Sequence, residues 1–254
     1  MAKYKEKTRV LSQSKIASDV YSIWLETKDI ACDAKPGQFV SVYSNDGTKL
    51  LPRPISICEV NSNEGILRLV YRVVGVGTKE FSKYKSGDTV EVLGPLGNGF
   101  PLSNHSAILI GGGIGIPPML ELSKNLSGKK QIILGYKDEL FLNDELSQYG
   151  YVYVSTEDGS RGVRGNVIDT IKANRVTGDV IYACGPAPML KAVKSYAEEN
   201  NIKAWLSLEE KMACGVGACL ACVCKTKEID EHSNVYNARV CKEGPVFSSE
   251  EVEL

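Results

Sequence analysis

The chain has 254 residues, of which 43% are hydrophobic and 24% charged, and its 30 basic and 31 acidic side chains leave a formal charge of −1. This is the composition of an ordinary globular protein, long enough for two domains or for two small domains and an appended module. With no basic excess to neutralise phosphates, neither nucleic acid nor an anionic membrane is an expected partner.

The first ten residues are polar and basic with no apolar core, so they do not read as a signal peptide. Short alternations of apolar and polar residues follow at 20–25, 38–43, 66–73 and 89–93. Turn signals separate them at Lys35-Pro36-Gly37, Asn45-Asp46-Gly47, 61–65 and Ser86-Gly87-Asp88. Strands at this spacing predict a small antiparallel β-barrel over residues 1–102, with one short helix at 78–84.

After Pro101 the rhythm changes. Apolar runs at 107–110, 131–135, 151–155 and 180–183 predict buried strands, and helical patterns cover 117–125, 163–173 and 188–200. Strands alternating with helices predict a doubly wound parallel sheet over residues 103–206. The uncharged stretch 103–120 is cut by glycines and prolines, whereas a membrane span needs roughly 20 continuous apolar residues. A cytoplasmic protein is the expectation. From Ser207 to the end the chain is rich in cysteine, glycine and polar residues, which predicts a small metal-organised module over 207–254.

Three motifs carry chemistry. In the barrel, Arg53-Pro54-Ile55-Ser56, Val70-Tyr71-Arg72 and Gly77-Thr78 together suit a dinucleotide cradle. Arg53 can neutralise a pyrophosphate, Gly77 and Thr78 open a helix towards an anion, Tyr71 can flank a flat ring, and Ser56 can hydrogen-bond its edge. Taken singly, each is as readily an ordinary barrel residue.

In the second domain, Gly111-Gly112-Gly113-Ile114-Gly115 lies between an apolar strand and a helix opened by Pro117-Pro118. Glycines there permit close approach of a pyrophosphate at a helix start. Cys184-Gly185-Pro186 ends a later strand, where such sheets line their ligand crevice. Glu157 and Asp158 follow another strand, and acidic groups there favour NAD over NADP.

The third motif is the most specific. Five of the eight cysteines crowd the last fifth of the chain, and Cys214, Cys219 and Cys222 with the distant Cys241 follow the C-x4-C-x2-C…C order of a plant-type [2Fe–2S] site. A reducing compartment argues against disulfides. Structural zinc is the alternative, although it favours paired C-x2-C knuckles. His105 and His232 lie outside the cysteine run, which argues against a His-ligated centre. Cys224, two residues past Cys222, competes for the fourth place, and geometry alone does not exclude it. Cys241 is distant in sequence as the plant pattern requires, which leaves Cys224 as a small buried hydrophobe.

These motifs resemble those of the ferredoxin–NADP reductase superfamily. Within it the likeness extends along essentially the whole chain to the electron-transfer subunits of class B dihydroorotate dehydrogenases. It is also carried by Gly94-Pro95-Leu96-Gly97-Asn98-Gly99-Phe100, by Arg239-Val240-Cys241 and by Gly244-Pro245-Val246-Phe247. The resemblance implies FAD on the barrel, NAD(H) as substrate of the second domain, and a [2Fe–2S] cluster.

It further implies a heterotetramer in which two such subunits flank two FMN-containing catalytic subunits that oxidise dihydroorotate to orotate. Similar subunits serve sulfhydrogenases and NADH-dependent ferredoxin–NADP reductases, some with aspartate for one cluster cysteine. Here cysteine stands at every matched position. Other readings are a zinc-stabilised NAD-binding regulatory module and a self-contained oxygenase reductase.

Overall fold

The computed structural model of the chain describes residues 2–230 and 234–254, so His232 lies outside the described residues. The first domain contains β1 (Tyr4–Ala17), β2 (Val20–Glu26), α1 (Ile30–Asp33), β3 (Phe39–Val42), β4 (Arg53–Asn61), β5 (Ile66–Arg72), α2 (Val76–Phe81) and β6 (Thr89–Leu96). Its strands close into an antiparallel barrel in the order β1-β2-β5-β4-β3-β6.

Strand β1 makes the closure. Its first half pairs with β6 and its second half with β2, with register shifts near Val10 and Lys15 that bend it between the two. Only Thr8, Val10 and Ala17 of this strand are buried, which explains why its sequence shows no alternation.

The second domain contains β7 (Ala107–Gly112), α3 (Pro117–Asn125), β8 (Lys130–Tyr136), α4 (Asn143–Ser147), β9 (Tyr151–Thr156), β10 (Val163–Arg164), α5 (Val167–Ala173), β11 (Val180–Cys184), α6 (Ala187–Glu199) and β12 (Lys203–Ser207). The last segment contains β13 (Val223–Lys225), β14 (Asn237–Arg239) and β15 (Val246–Ser248). The large sheet runs β10-β9-β8-β7-β11-β12-β15, parallel except for β15, which pairs antiparallel with β12. Strands β13 and β14 form a separate ribbon.

The helix expected over 163–173 is split. Val163 and Arg164 pair with β9, Gly165 turns the chain at φ +126°, and Asn166 caps α5. The Asn166 carboxamide accepts from the Ile168 and Asp169 N–H groups while Asp169 accepts from the Asn166 N–H, a reciprocal cap.

The core lies on both faces of the large sheet. On one face Met119, Leu122 and Leu146 pack with the barrel residues Val20, Cys58 and Val70. On the other, Val167, Ile171, Leu190 and Val193 form one cluster with Cys222, Val240 and Cys241. The cysteine segment therefore shares the core of the second domain.

Helix α3 packs on β4, and charge joins the two domains there. Arg68 of β5 is buried. It donates to Ser22 Oγ (2.9 Å), to Glu59 (3.2 Å) and to both carboxylate oxygens of Glu145 on α4, and its guanidinium lies 5.1 Å from the Trp24 ring centroid. Lys124 of α3 completes the network at 3.0 Å from Glu59, and Glu121 accepts the Val60 N–H at 2.9 Å. Replacing Arg68 with methionine keeps its bulk but strands Glu145 and Ser22. Charged hydrogen bonds of this kind contribute about 1.5–3 kcal/mol, so Arg68→Met should lower the urea midpoint visibly. A midpoint equal to the wild type would show that the network does not join the domains.

Candidate cofactor cleft and cysteine loop

A cleft of about 550 Å³ opens between the barrel, Ile114 of the glycine-rich turn and the chain leaving β12. That volume is within the roughly 300–1,000 Å³ usual for cofactor sites. All nine barrel residues singled out from the sequence line it: Arg53, Pro54, Ile55 and Ser56 from β4, Val70, Tyr71 and Arg72 from β5, and Gly77 and Thr78 from α2. β4 and β5 are barrel neighbours, and α2 follows directly from β5, which is why these separate motifs converge.

Arg53 lies across the start of α2. A Cβ on Gly77 would overlap the Arg53 Nε and come within 2.7 Å of its Cζ, so only glycine lets the guanidinium sit there. Arg53 donates to the Leu51 carbonyl, and among the described residues neither Arg53 nor Arg72 forms an ion pair. Two uncompensated guanidiniums on one wall fit a diphosphate.

The Thr78 hydroxyl is engaged within the loop itself. It accepts from the Val74 and Gly75 N–H groups and donates to the Gly75 carbonyl, and so shapes the approach to α2. Tyr71 is held rigidly, stacked on Tyr21 at 6.0 Å, edge-on to Phe81, with its hydroxyl on Gln13. Burial raises its phenol well above the ordinary value.

The opposite wall was not foreseen. It is formed by Ser207, Leu208, Glu209, Glu210 and Met212, with Pro245 of the returning chain. Their signal was indirect: carboxyl ends of parallel strands line the crevice, but β12 was not predicted. Glu209 keeps access to solvent through the cleft mouth, yet the surrounding walls raise its carboxyl above the usual carboxylate value.

The second-domain residues gather beside the cleft. Gly111 and Cys184 are paired across β7 and β11, which brings the glycine turn against Cys184-Gly185-Pro186. Packing constrains Gly111, Gly112, Gly115 and Gly185. A Cβ on Gly115 would overlap the Cys184 carbonyl, and one on Gly112 would overlap Met189 Sδ. Gly113 instead has φ +53° and open space around it. Gly111, Gly112, Gly113, Gly115, Cys184, Gly185 and Pro186 do not line the 550 Å³ cleft, which Ile114 alone reaches from this turn. The Cys184 thiol is buried and pushed up to about 12. Beyond β9, Asp158 Oδ1 accepts the Ser160 N–H (2.9 Å) and hydroxyl (2.7 Å), with Glu157 preceding it in the same loop.

The four cysteines form two pairs. Cys219 lies against the Cys214 sulfur, and Cys241 lies against Cys222 and donates its N–H to Cys222 Sγ at 3.4 Å. Cys214 Sγ also accepts from the Val216 (3.4 Å) and Ala218 (3.3 Å) N–H groups. Burial opposes ionisation of Cys214, but these donors prevail and bring its thiol down to about 6. Among the described residues no three His, Cys, Asp or Glu side chains converge on a point for one ion. Two thiol pairs are instead what two irons, each taking two thiolates, require. Cys224 packs against the second-domain core, and burial raises its thiol to about 11.

Comparison with known proteins follows this division. Solved structures under 25% identical share the fold, among them the ferredoxin reductase of carbazole 1,9a-dioxygenase, at 18% identity, TM-score 0.66, and 80% and 67% coverage of this chain and that one. A nearer structure is the NADH-dependent reduced ferredoxin–NADP oxidoreductase studied for flavin-based electron bifurcation. It is 30% identical with TM-score 0.88, covering 97% of this chain and 89% of that one. The chain thus shares the fold of these reductases.

Residues 7–100 match the oxidoreductase FAD-binding domain, and residues 209–253 match the iron–sulfur cluster binding domain of dihydroorotate dehydrogenase B. The electron transfer subunit of dihydroorotate dehydrogenase B (NAD(+)) from Fusobacterium nucleatum is 43% identical over 94% of this chain and 95% of its own length. That of Listeria monocytogenes is 44% identical over 97% and 98%. The chain belongs to the family of dihydroorotate dehydrogenase B electron transfer subunits.

Gly77→Ala should push Arg53 out of place and weaken FAD binding about tenfold, or roughly 1.4 kcal/mol, with Arg53→Ala at least as damaging. Flavin-to-protein ratios after desalting measure this. Full FAD retention in both variants would take Arg53 out of the site.

Proposed function

We propose that this chain relays electrons between NAD(H) and a partner subunit holding FMN, so that the assembly oxidises dihydroorotate to orotate in pyrimidine biosynthesis. The observation that carries the proposal is the continuity of the two sites. Met212 lines the cleft, and Cys214 follows two residues later, at most about 7 Å along the chain. A Cβ on Gly215 would lie 2.9 Å from Ser41 Oγ, so the cysteine loop also rests directly on the barrel.

In this reading FAD occupies the 550 Å³ cleft. Arg53, with Arg72 beside it, offsets the pyrophosphate charge. Ser56 and Ile55 meet the edge of the ring system, and Val70 and Tyr71 form its floor. Gly77 clears the space for Arg53, and Thr78 holds the loop before α2 in shape. NAD(H) approaches from the turn of Gly111, Gly112, Gly113 and Gly115 and from Cys184-Gly185-Pro186, with Glu157 at the adenosine end favouring NAD. Cys214, Cys219, Cys222 and Cys241 hold the [2Fe–2S] cluster. Held by the cleft residues, FAD would supply hydride exchange with a nicotinamide and single-electron exchange with a one-electron cluster.

No helix among the described residues is long and apolar enough to cross a membrane, and the reading is a cytoplasmic heterotetramer of two such chains and two catalytic subunits. The exposed apolar side chains Leu220, Val223, Val235 and Tyr236 around the cysteine loop support docking of the partner there. The 30% likeness to the NADH-dependent ferredoxin–NADP oxidoreductase favours a second reading. In that reading the chain is the NADH-linked reductase subunit of a ferredoxin–NADP reductase or sulfhydrogenase complex.

Two experiments follow. In EPR of dithionite-reduced protein, Cys241→Ser should abolish or severely bleach the cluster signal while Cys224→Ser leaves it nearly intact, and the reverse result would make Cys224 the ligand. The purified chain should reduce ferricyanide with NADH yet leave dihydroorotate untouched. Adding the FMN subunit should switch on dihydroorotate-dependent NAD⁺ reduction, and Cys219→Ser should switch it off. Orotate formation by the chain alone would sink the relay reading, and failure of every FMN subunit to restore activity would favour the ferredoxin-linked one.

A further inference from the structure

Arg239 is buried to 4% exposure beside the cysteine loop. Its Nε and Nη2 donate to the two carboxylate oxygens of Glu243 at 2.9 and 2.5 Å, and its backbone N–H reaches the same carboxylate at 2.9 Å. This fork leaves Nη1 aimed away from Glu243, and it donates to the Gly217 carbonyl at 3.0 Å. Gly217 lies between Cys214 and Cys219. Its backbone has φ +87°, and a Cβ there would come within 2.6 Å of Lys242 Cδ, so the loop is packed from that side as well.

The peptide joining Gly217 to Ala218 is trans, so its C=O and N–H point in opposite directions. The carbonyl end is held by Arg239, and the N–H end donates to Cys214 Sγ at 3.3 Å. One anchored peptide thus aims a donor at the sulfur of Cys214. A reduced cluster carries one more negative charge than an oxidised one, so N–H donors to its ligand sulfurs stabilise the reduced form.

We propose that Arg239 is a positioning residue for the cluster: by holding the Gly217 carbonyl it aims the Ala218 N–H at Cys214 and raises the cluster's reduction potential. The inference rests on the ligand assignment proposed above. Glu243 compensates the arginine's charge at close range, so the effect is one of peptide orientation rather than of a bare cation.

The test uses the full FAD-loaded chain, with iron content and EPR-monitored redox titration as readouts, the low-temperature cluster signal being separable from the flavin's. In Arg239→Met the cluster should persist with a more negative midpoint. Poised at the wild-type midpoint, its oxidised-to-reduced ratio should rise about tenfold, equivalent to about 59 mV for one electron. Arg239→Lys should shift the same way, because an ammonium cannot span Glu243 and Gly217 together. An unchanged midpoint in the methionine variant, or full restoration by lysine, overturns the proposal. Should both variants lose the cluster, Glu243→Gln decides. It keeps the Gly217 contact and with it the orientation of the peptide, so the cluster should persist with a midpoint no lower than the wild type's, and a lower midpoint or loss of the cluster overturns the proposal. If the wild-type cluster signal survives Cys214→Ser, the ligand assignment has failed rather than the role of Arg239.

Discussion

Strand β15 hydrogen-bonds to β12 through Trp205 with Ser248, Leu206 with Phe247, and Ser207 with Val246. Those three pairings fix both ends of the segment between them. The chain leaves the sheet at Ser207, where the carboxyl ends of the parallel strands open, and must return to Val246 beside the same point. Everything between is therefore held against the mouth of the cleft, with Leu208 to Met212 on the outward path and Pro245 on the return. The Leu208 N–H donates to the Pro245 carbonyl at 2.8 Å and closes the base of this long excursion. Neither the nearness of the cysteines to the barrel nor the enclosure of the cleft would survive without that pairing.

The two walls of the cleft differ in charge. Arg53 and Arg72 lie on the barrel side, and Glu209 and Glu210 on the side leaving β12. Under the reading proposed above, the first wall would attract a diphosphate and the second repel it, so the cleft would orient an asymmetric cofactor before any specific contact forms.

What the sequence disclosed follows from how local each signal is. Helix α3 was legible to the residue, since Pro117-Pro118 fixes its start and the apolar period runs to Asn125. The cysteine spacing and the barrel motifs were equally local, because each packs its chemistry into a few neighbouring residues. Strand β1 was missed because a strand bent around a barrel closure shows few buried positions. α5 was overextended because its apolar period runs on through Val163, and only the turn at Gly165 and the cap at Asn166 end it. The wall from Ser207 to Met212 and the shared core of Cys222 and Cys241 were invisible for a different reason. They depend on a pairing between β12 and β15 across about forty residues, which no local window contains.

The large sheet ends in a two-residue strand, β10, on one side and a three-residue strand, β15, on the other, while the barrel has no free margin at all. Exposed strand margins are templates on which other chains polymerise, and very short ones offer too few unpaired peptide groups to seed that growth. Lengthening either margin, as an insertion after Arg164 or a truncated tail would do, would remove this protection. The molecule is thus built to meet other proteins through side chains and to resist fusing with them through its backbone.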